Sequence, residues 1–390
     1  MRKRPSGSAY IVAARRTALG RVGGLHRSRR LEDLTAPVVR AVLADCGLPA
    51  ERVDEIVLGN ATQGGNPARL VALAAGLPET ASATTIDRQC GSGLDAILAA
   101  IRSVEGGEAE VAIAGGAESV STAPWRVAKP RSLYQMPHFL PLEPSAEPEG
   151  AEEPALFESS EMLSRKLGIG RAQQDAWAIR SHLKAEVARE ARRLVGEIVP
   201  LRANAEEARD QGAGNPDAQD FARLPPFLSP DGTLTPGNTS AVRDGAAMVV
   251  VVSQQVWEEL GKPRALRLVA SAAQGVAPGD EAGAPIEAMR KLYGRLTGFN
   301  PKDIGTIEMS ESSAAQAIAF AAELGVEEDL LNPAGGAVVR GHPFGAAGAV
   351  LVVRLFSTMV RAKEGPRAHY GVATLGALGG IGLAALFEAV

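Results

Sequence analysis

Cys90 and His342 are the two side chains of this sequence best suited to covalent chemistry. Cys90 stands in Asp87-Arg-Gln-Cys-Gly-Ser-Gly-Leu94, at the end of a short apolar run. An alanine-rich stretch follows, with Leu94, Ile97, Leu98 and Ile101 on one helical face. The order reads as strand, tight turn, helix, with the thiol at the helix N-terminus. There the unpaired backbone N–H groups and the macrodipole favour a thiolate. The flanking glycines would let a substrate carbonyl approach backbone donors. A buried structural cysteine is the competing reading. His342 has a similar setting, Gly341-His-Pro-Phe-Gly-Ala-Ala-Gly348 before an apolar helix. A thiol served by a histidine is an arrangement for acyl transfer; a capping histidine is the alternative.

The elements that would carry these residues alternate. Residues 9–14 read as a buried strand, 32–46 as a helix, and Asp54–Asn60 as a strand ending in a glycine turn. A short helix from Asn66 stops at Gly76-Leu-Pro, and Glu110–Glu118 is a further buried strand. This rhythm implies an α/β fold with a largely parallel sheet covered on both faces. The second half echoes the first. Ile304–Glu311 resembles Val53–Asn60, and the Tyr370 strand matches the Glu110 strand. Ile56 precedes Cys90 by 34 residues and Ile307 precedes His342 by 35. Two such halves about a pseudo-twofold axis would bring both helix N-termini to one cleft.

Between them, roughly 120–240, the rhythm breaks. Residues 120–160 and 202–235 read as loops around a charged amphipathic helix at 171–192, together an inserted covering subdomain. The division is therefore 1–119, 120–240 and 241–390, with residues near 241–255 completing the first half.

Composition narrows the classes. With 45% hydrophobic residues, the 390-residue chain can build two core-bearing units. A net charge of −4 argues against nucleic acid, leaving room only for a local basic patch. The only cysteines are Cys46 and Cys90, which fits a reducing cytoplasm, and Cys46 reads as structural. The five histidines are scattered without metal-ligand spacing, so no metal site is expected. The basic start lacks an apolar signal core, and no apolar run is read as long enough to span a membrane.

Over nearly its whole length the chain resembles the thiolase family of coenzyme A-dependent acyltransferases. The resemblance rests on Arg16-Thr-Ala-Leu-Gly-Arg-Val-Gly-Gly, Cys90-Gly-Ser-Gly and Ala114-Gly-Gly-Ala-Glu-Ser-Val-Ser, followed by Pro236-Gly-Asn-Thr-Ser-Ala-Val-Arg-Asp-Gly and Gly335-Gly-Ala-Val-Val-Arg-Gly-His-Pro. It implies duplicated βαβαβ halves in a five-layered α-β-α-β-α core and a homo-oligomer, dimer or tetramer. It also implies an acyl-CoA substrate, with coenzyme A as substrate or product and no permanently bound cofactor. Cys90 would be the nucleophile, His342 its base and the enolate's support, and Ser240 would lie along the pantetheine arm. Backbone donors near Cys90 and in the C-terminal glycine loop would hold the oxyanion.

Five departures stand out. In Thr374-Leu-Gly-Ala-Leu-Gly-Gly-Ile-Gly, Gly376 takes the place of the family's second catalytic cysteine. Leu378, just before Gly379, replaces a glycine that normally offers a backbone donor. The family's Asn-Glu-Ala-Phe has become Ser310-Glu-Ser-Ser313; Ala334 replaces a frequent asparagine, and Trp125 a frequent histidine. A positioned acid or base is worth about 10²–10⁴ in rate, so carbon–carbon bond chemistry should suffer unless another group serves. Glu311 and Ser310 are the candidates in sequence, and His138 could reach the cleft. The implied activity is thiolysis or condensation of a 3-oxoacyl-CoA through an acyl-cysteine. The alternatives are acyl transfer to a non-carbon acceptor, a subunit working beside a small OB-fold zinc-binding partner, or a coenzyme A-binding protein without turnover.

Overall fold

The computed structural model describes residues 7–140, 156–202, 205–212, 218–277, 279–362 and 368–390. The basic start and part of the Pro/Glu-rich stretch after 140 lie outside them. The first half opens with β1 (Ala9–Arg16), whose alternate side chains are buried on both faces, and the short β2 (Gly20–Arg21). Next is α1 (Leu31–Cys46), with Glu32 and Asp33 in its first turn and a left-handed Gly47 ending it. Then come β3 (Glu55–Gly59), α2 (Pro67–Ala75), β4 (Ser82–Ile86), α3 (Ser92–Glu105) and β5 (Val111–Glu118).

The insertion holds a small hairpin, β6 (Val127–Ala128) with β7 (His138–Phe139), and two helices, α4 (Leu156–Leu167) and α5 (Arg171–Glu190). It also holds α6 (Ala218–Arg223), within a stretch that reads as loop in the sequence. The chain then returns to the sheet as β8 (Arg243–Ser253), between β5 and β1, and continues through α7 (Gln254–Glu259).

The second half repeats the first as β9 (Leu266–Gly275), α8 (Ala284–Arg295), β10 (Ile304–Ser310), α9 (Ala314–Leu324) and α10 (Ala337–Arg340). It closes with α11 (Ala347–Phe356), β11 (Tyr370–Ala377) and β12 (Ile381–Ala389). Strand order is β4-β3-β5-β8-β1-β9-β12-β11-β10. Parallel β3–β5 and antiparallel β8 correspond to parallel β10–β11 and antiparallel β12. The counterpart of β4 is reduced to one parallel bridge, Ile307 to Leu331. The halves join edge to edge through Tyr10–Arg267 and Ile11–Leu266.

Side-chain alternation sorts the layers. On β11, Ala373, Leu375 and Ala377 face a central core shared with α3 and α11. Val372 faces an outer core with α8 and α9, while α1 and α2 cover the other outer face. Together these make five layers. A buried ionic group staples the insertion across both halves. Glu197 accepts from Arg16 Nε and Arg354 Nη1, each at 2.6 Å. Burial works against ionisation of Glu197, yet the two guanidiniums hold its carboxyl at about 2.

Two expectations are corrected. The sheet is mixed rather than largely parallel: among the described strands β3–β4, β3–β5 and β10–β11 pair parallel, while β8, β1, β9 and β12 run antiparallel to their neighbours, because each half returns through an antiparallel strand to join the other. Phe344–Arg361 forms 18 residues of helix long and apolar enough to cross a membrane, and 83% of it is buried inside the protein. A helix walled by two sheet layers has to be apolar all round.

Candidate active site

The turn between β4 and α3 is laced by Ser92. Its Oγ donates to the Gln89 carbonyl at 2.6 Å and accepts from Arg88 N at 2.8 Å. Gln89 takes a left-handed φ of 51°, a strained conformation for a non-glycine residue. Cys90 follows, 2% exposed, two residues before the helix begins. The glycines beside it sit at close contacts between the two halves. A Cβ on Gly91 would collide with Leu383 of β12, and one on Gly93 would stand 2.6 Å from the Gly345 carbonyl. Gly348 in turn abuts Leu94. The glycines therefore let the two halves meet.

His342 is held by its backbone to the segment before β8. Its N–H donates to the Ala241 carbonyl at 2.8 Å, and its carbonyl accepts from Arg243 N at 3.1 Å. Gly341, at φ 90°, has Arg243 packed where a side chain would be. The imidazole meets the edge of Phe344, centroids 5.8 Å apart, and its Nδ1 lies 2.9 Å from Ser310 Oγ. Nε2 is buried without a hydrogen-bond partner among the described residues. Burial pushes its pKa down to about 4, so the ring is neutral at pH 7 and able to accept a proton.

The other sequence candidates fall around this pair. Ser240 donates through N and Oγ to the Ser312 carbonyl, at 2.9 and 3.3 Å, two residues before the Val242–His342 bridge. Gly376 pairs across the hairpin with Gly382, one register position from Leu383. Leu378, Gly379 and Gly380 form the hairpin turn, both glycines with positive φ. Glu311 is turned elsewhere. Its Oε1 accepts from Asn332 Nδ2 at 2.6 Å, Oε2 has no hydrogen-bond partner within normal geometry among the described residues, and burial pushes its carboxyl up to about 7. His138 and Trp125 lie exposed on the β6–β7 hairpin region, Trp125 against Phe139. Cys46 donates to the Val42 and Leu43 carbonyls, and burial raises its thiol.

Two supporting residues escape sequence reading. Glu118, at the end of β5, accepts from Asn60 Nδ2 at 2.9 Å, Ala61 N at 3.1 Å, Thr62 Oγ1 and Gly345 N at 2.9 Å. It thereby ties the His342 loop to the first half; burial pushes its carboxyl up to about 7 against those bonds. Its signal is a lone acid closing an otherwise apolar strand. Asn332, which links Met309 N to Glu311, carries no such signal.

The family model of the thiolase N-terminal domain matches residues 9–255, and that of the thiolase C-terminal domain matches residues 262–389. VraB of Staphylococcus epidermidis is 37% identical over 385 residues, 97% of each chain. The acetyl-CoA acetyltransferase of Chromobacterium violaceum is 36% identical over 398 residues, 97% of this chain and 98% of its own. The crystal structure of the Bacillus anthracis acetyl-CoA acetyltransferase superposes with a TM-score of 0.91, at 31% identity and full coverage of both chains.

Proposed function

This chain belongs to the thiolase family of acyltransferases, and on that premise we propose that it transfers acyl groups through a thioester on Cys90. The observation that carries this reading is the approach of Gly93 to Gly345, which sets the Cys90 turn against the His342 turn. The Cys90 sulfur attacks the carbonyl carbon of an acyl-CoA, and the thiol proton passes to His342 Nε2. Before this transfer Nδ1–H donates to Ser310 Oγ, the tautomer that leaves Nε2 bare to accept. Collapse of the tetrahedral intermediate breaks the carbon–sulfur bond, and coenzyme A leaves with the proton from Nε2. With a 3-oxoacyl-CoA the bond broken is carbon–carbon, and the departing acetyl-CoA enolate takes up the proton held at Nε2, through water for want of a thiol at Gly376. Ser240, bonded to the Ser312 carbonyl two residues before the Val242–His342 bridge, would line the acyl-CoA arm.

The absence of a thiol at Gly376 favours a second reading, transfer from acyl-Cys90 to a non-carbon acceptor. That path removes no α-proton, so it does not need the missing acid. The exposed edge strand β4, with Leu70 and Leu73 exposed on neighbouring α2, supports a homo-oligomer. Turnover assays separate the two chemistries. Release of acetyl-CoA from a 3-oxoacyl-CoA and free coenzyme A supports thiolysis. Acyl transfer to an amine or alcohol without such release supports the second path.

A further inference from the structure

Behind the His342 loop lies a cavity of about 840 Å³, walled by α5, the stretch that follows it, residues 208–212 and α10. Its size falls within the roughly 300–1,000 Å³ of small-molecule sites. Cys90, Ser240, Ser310 and His342 are not among its lining residues. Arg21, Arg189, Arg192, Arg209 and Arg340 are, in a protein whose net charge is −4. The carboxylates on its wall are already engaged: Asp210 holds Arg16 at 2.6 and 2.9 Å, and Glu186 pairs with Arg189.

Arg340 is the decisive residue. It is 6% exposed and Nη2 stands 3.6 Å from Glu308, but Nη1 has no hydrogen-bond partner among the described residues. A buried guanidinium donor left unmet is costly, and an anion in the cavity would satisfy it. The remaining wall is largely apolar, with Ile198, Pro200 and Val339. We propose that this cavity binds an organic phosphate of nucleotide size, its phosphate held by Arg340 and the rim arginines and its apolar body against Ile198, Pro200 and Val339. The site is independent of the chemistry at Cys90.

Equilibrium dialysis of the full chain with ADP as probe tests this, with and without saturating coenzyme A. We expect one ADP per chain, retained under coenzyme A. Affinity should fall at least about tenfold in an Arg192→Glu, Arg209→Glu double variant. Both residues are exposed and lie outside the acyl-transfer site, so the unfolding temperature should be unchanged. No saturable ADP uptake, loss of ADP on adding coenzyme A, or unchanged affinity in the double variant would each overturn the proposal.

Discussion

Ser310 Oγ lies 2.9 Å from His342 Nδ1, and the opposite ring nitrogen is buried with no hydrogen-bond partner among the described residues. The serine thus orients the ring, and in the tautomer where Nδ1–H donates to it Nε2 is left to take a proton. Ser310→Ala should slow acylation of Cys90 about tenfold, the worth of one hydrogen bond of ~1.4 kcal/mol. Rapid-quench kinetics would show the loss in the rate constant, with acyl-CoA affinity little changed. An unaltered rate would mean that Ser310 is a spectator.

Gly376 leaves room for the thiol it lacks. A Cβ there would stand 3.4 Å from Pro285 Cδ and 3.5 Å from the Glu281 carbonyl, and the residue lies in β11. Gly376→Cys should therefore fold and raise 3-oxoacyl-CoA thiolysis by roughly 10²–10⁴. Acylation of Cys90 by a simple acyl-CoA should not change. Equal thiolysis by both proteins would show that another group already supplies the proton.

Glu118 accepts hydrogen bonds from four surrounding donors. Glu118→Gln turns an amide NH₂ toward one of them and should cost about 1–3 kcal/mol. The link to Gly345 loosens, so kcat should fall more than KM rises, alongside a lower unfolding temperature. A variant destabilised yet with wild-type kcat would reduce Glu118 to a purely structural role.

The Glu311 carboxyl titrates at about 7 in the fold, raised by burial from 4.5. A raised pKa means the native state holds its proton more tightly than the unfolded chain. Its contribution is complete below pH 4.5 and is lost as pH rises through 7, on the order of 3 kcal/mol. Glu311→Gln keeps an oxygen for Asn332 and removes the titration. Denaturant unfolding should then show the variant gaining on wild type between pH 5 and 8. His342, whose pKa is lowered, acts in the opposite sense below pH 6.5 but equally in both proteins. Parallel stability curves would contradict the assignment.

Much of this architecture can be read from local pattern. The apolar spacing of α1, the all-buried run of β5 and the 34- and 35-residue offsets each report on neighbours close in sequence or on repetition. Contacts between distant segments are harder to read. Nothing local to Gly93 signals that Gly345, from the other half, packs against it. Ser310 and Glu311 both read as candidate acids or bases, but successive side chains at the end of β10 point apart, one to His342 and the other to Asn332. The α11 region reads as ordinary core because its apolar stretch is broken by Arg354, whose charge is met by Glu197 far along the chain.

The most direct test is intact-protein mass after mixing with acetyl-CoA, for wild type and Cys90→Ala. Covalent transfer predicts a gain of one acetyl group per chain in wild type, none in the variant, and its removal by free coenzyme A. A wild-type chain that stays unmodified, or a variant acylated to the same extent, would contradict the account.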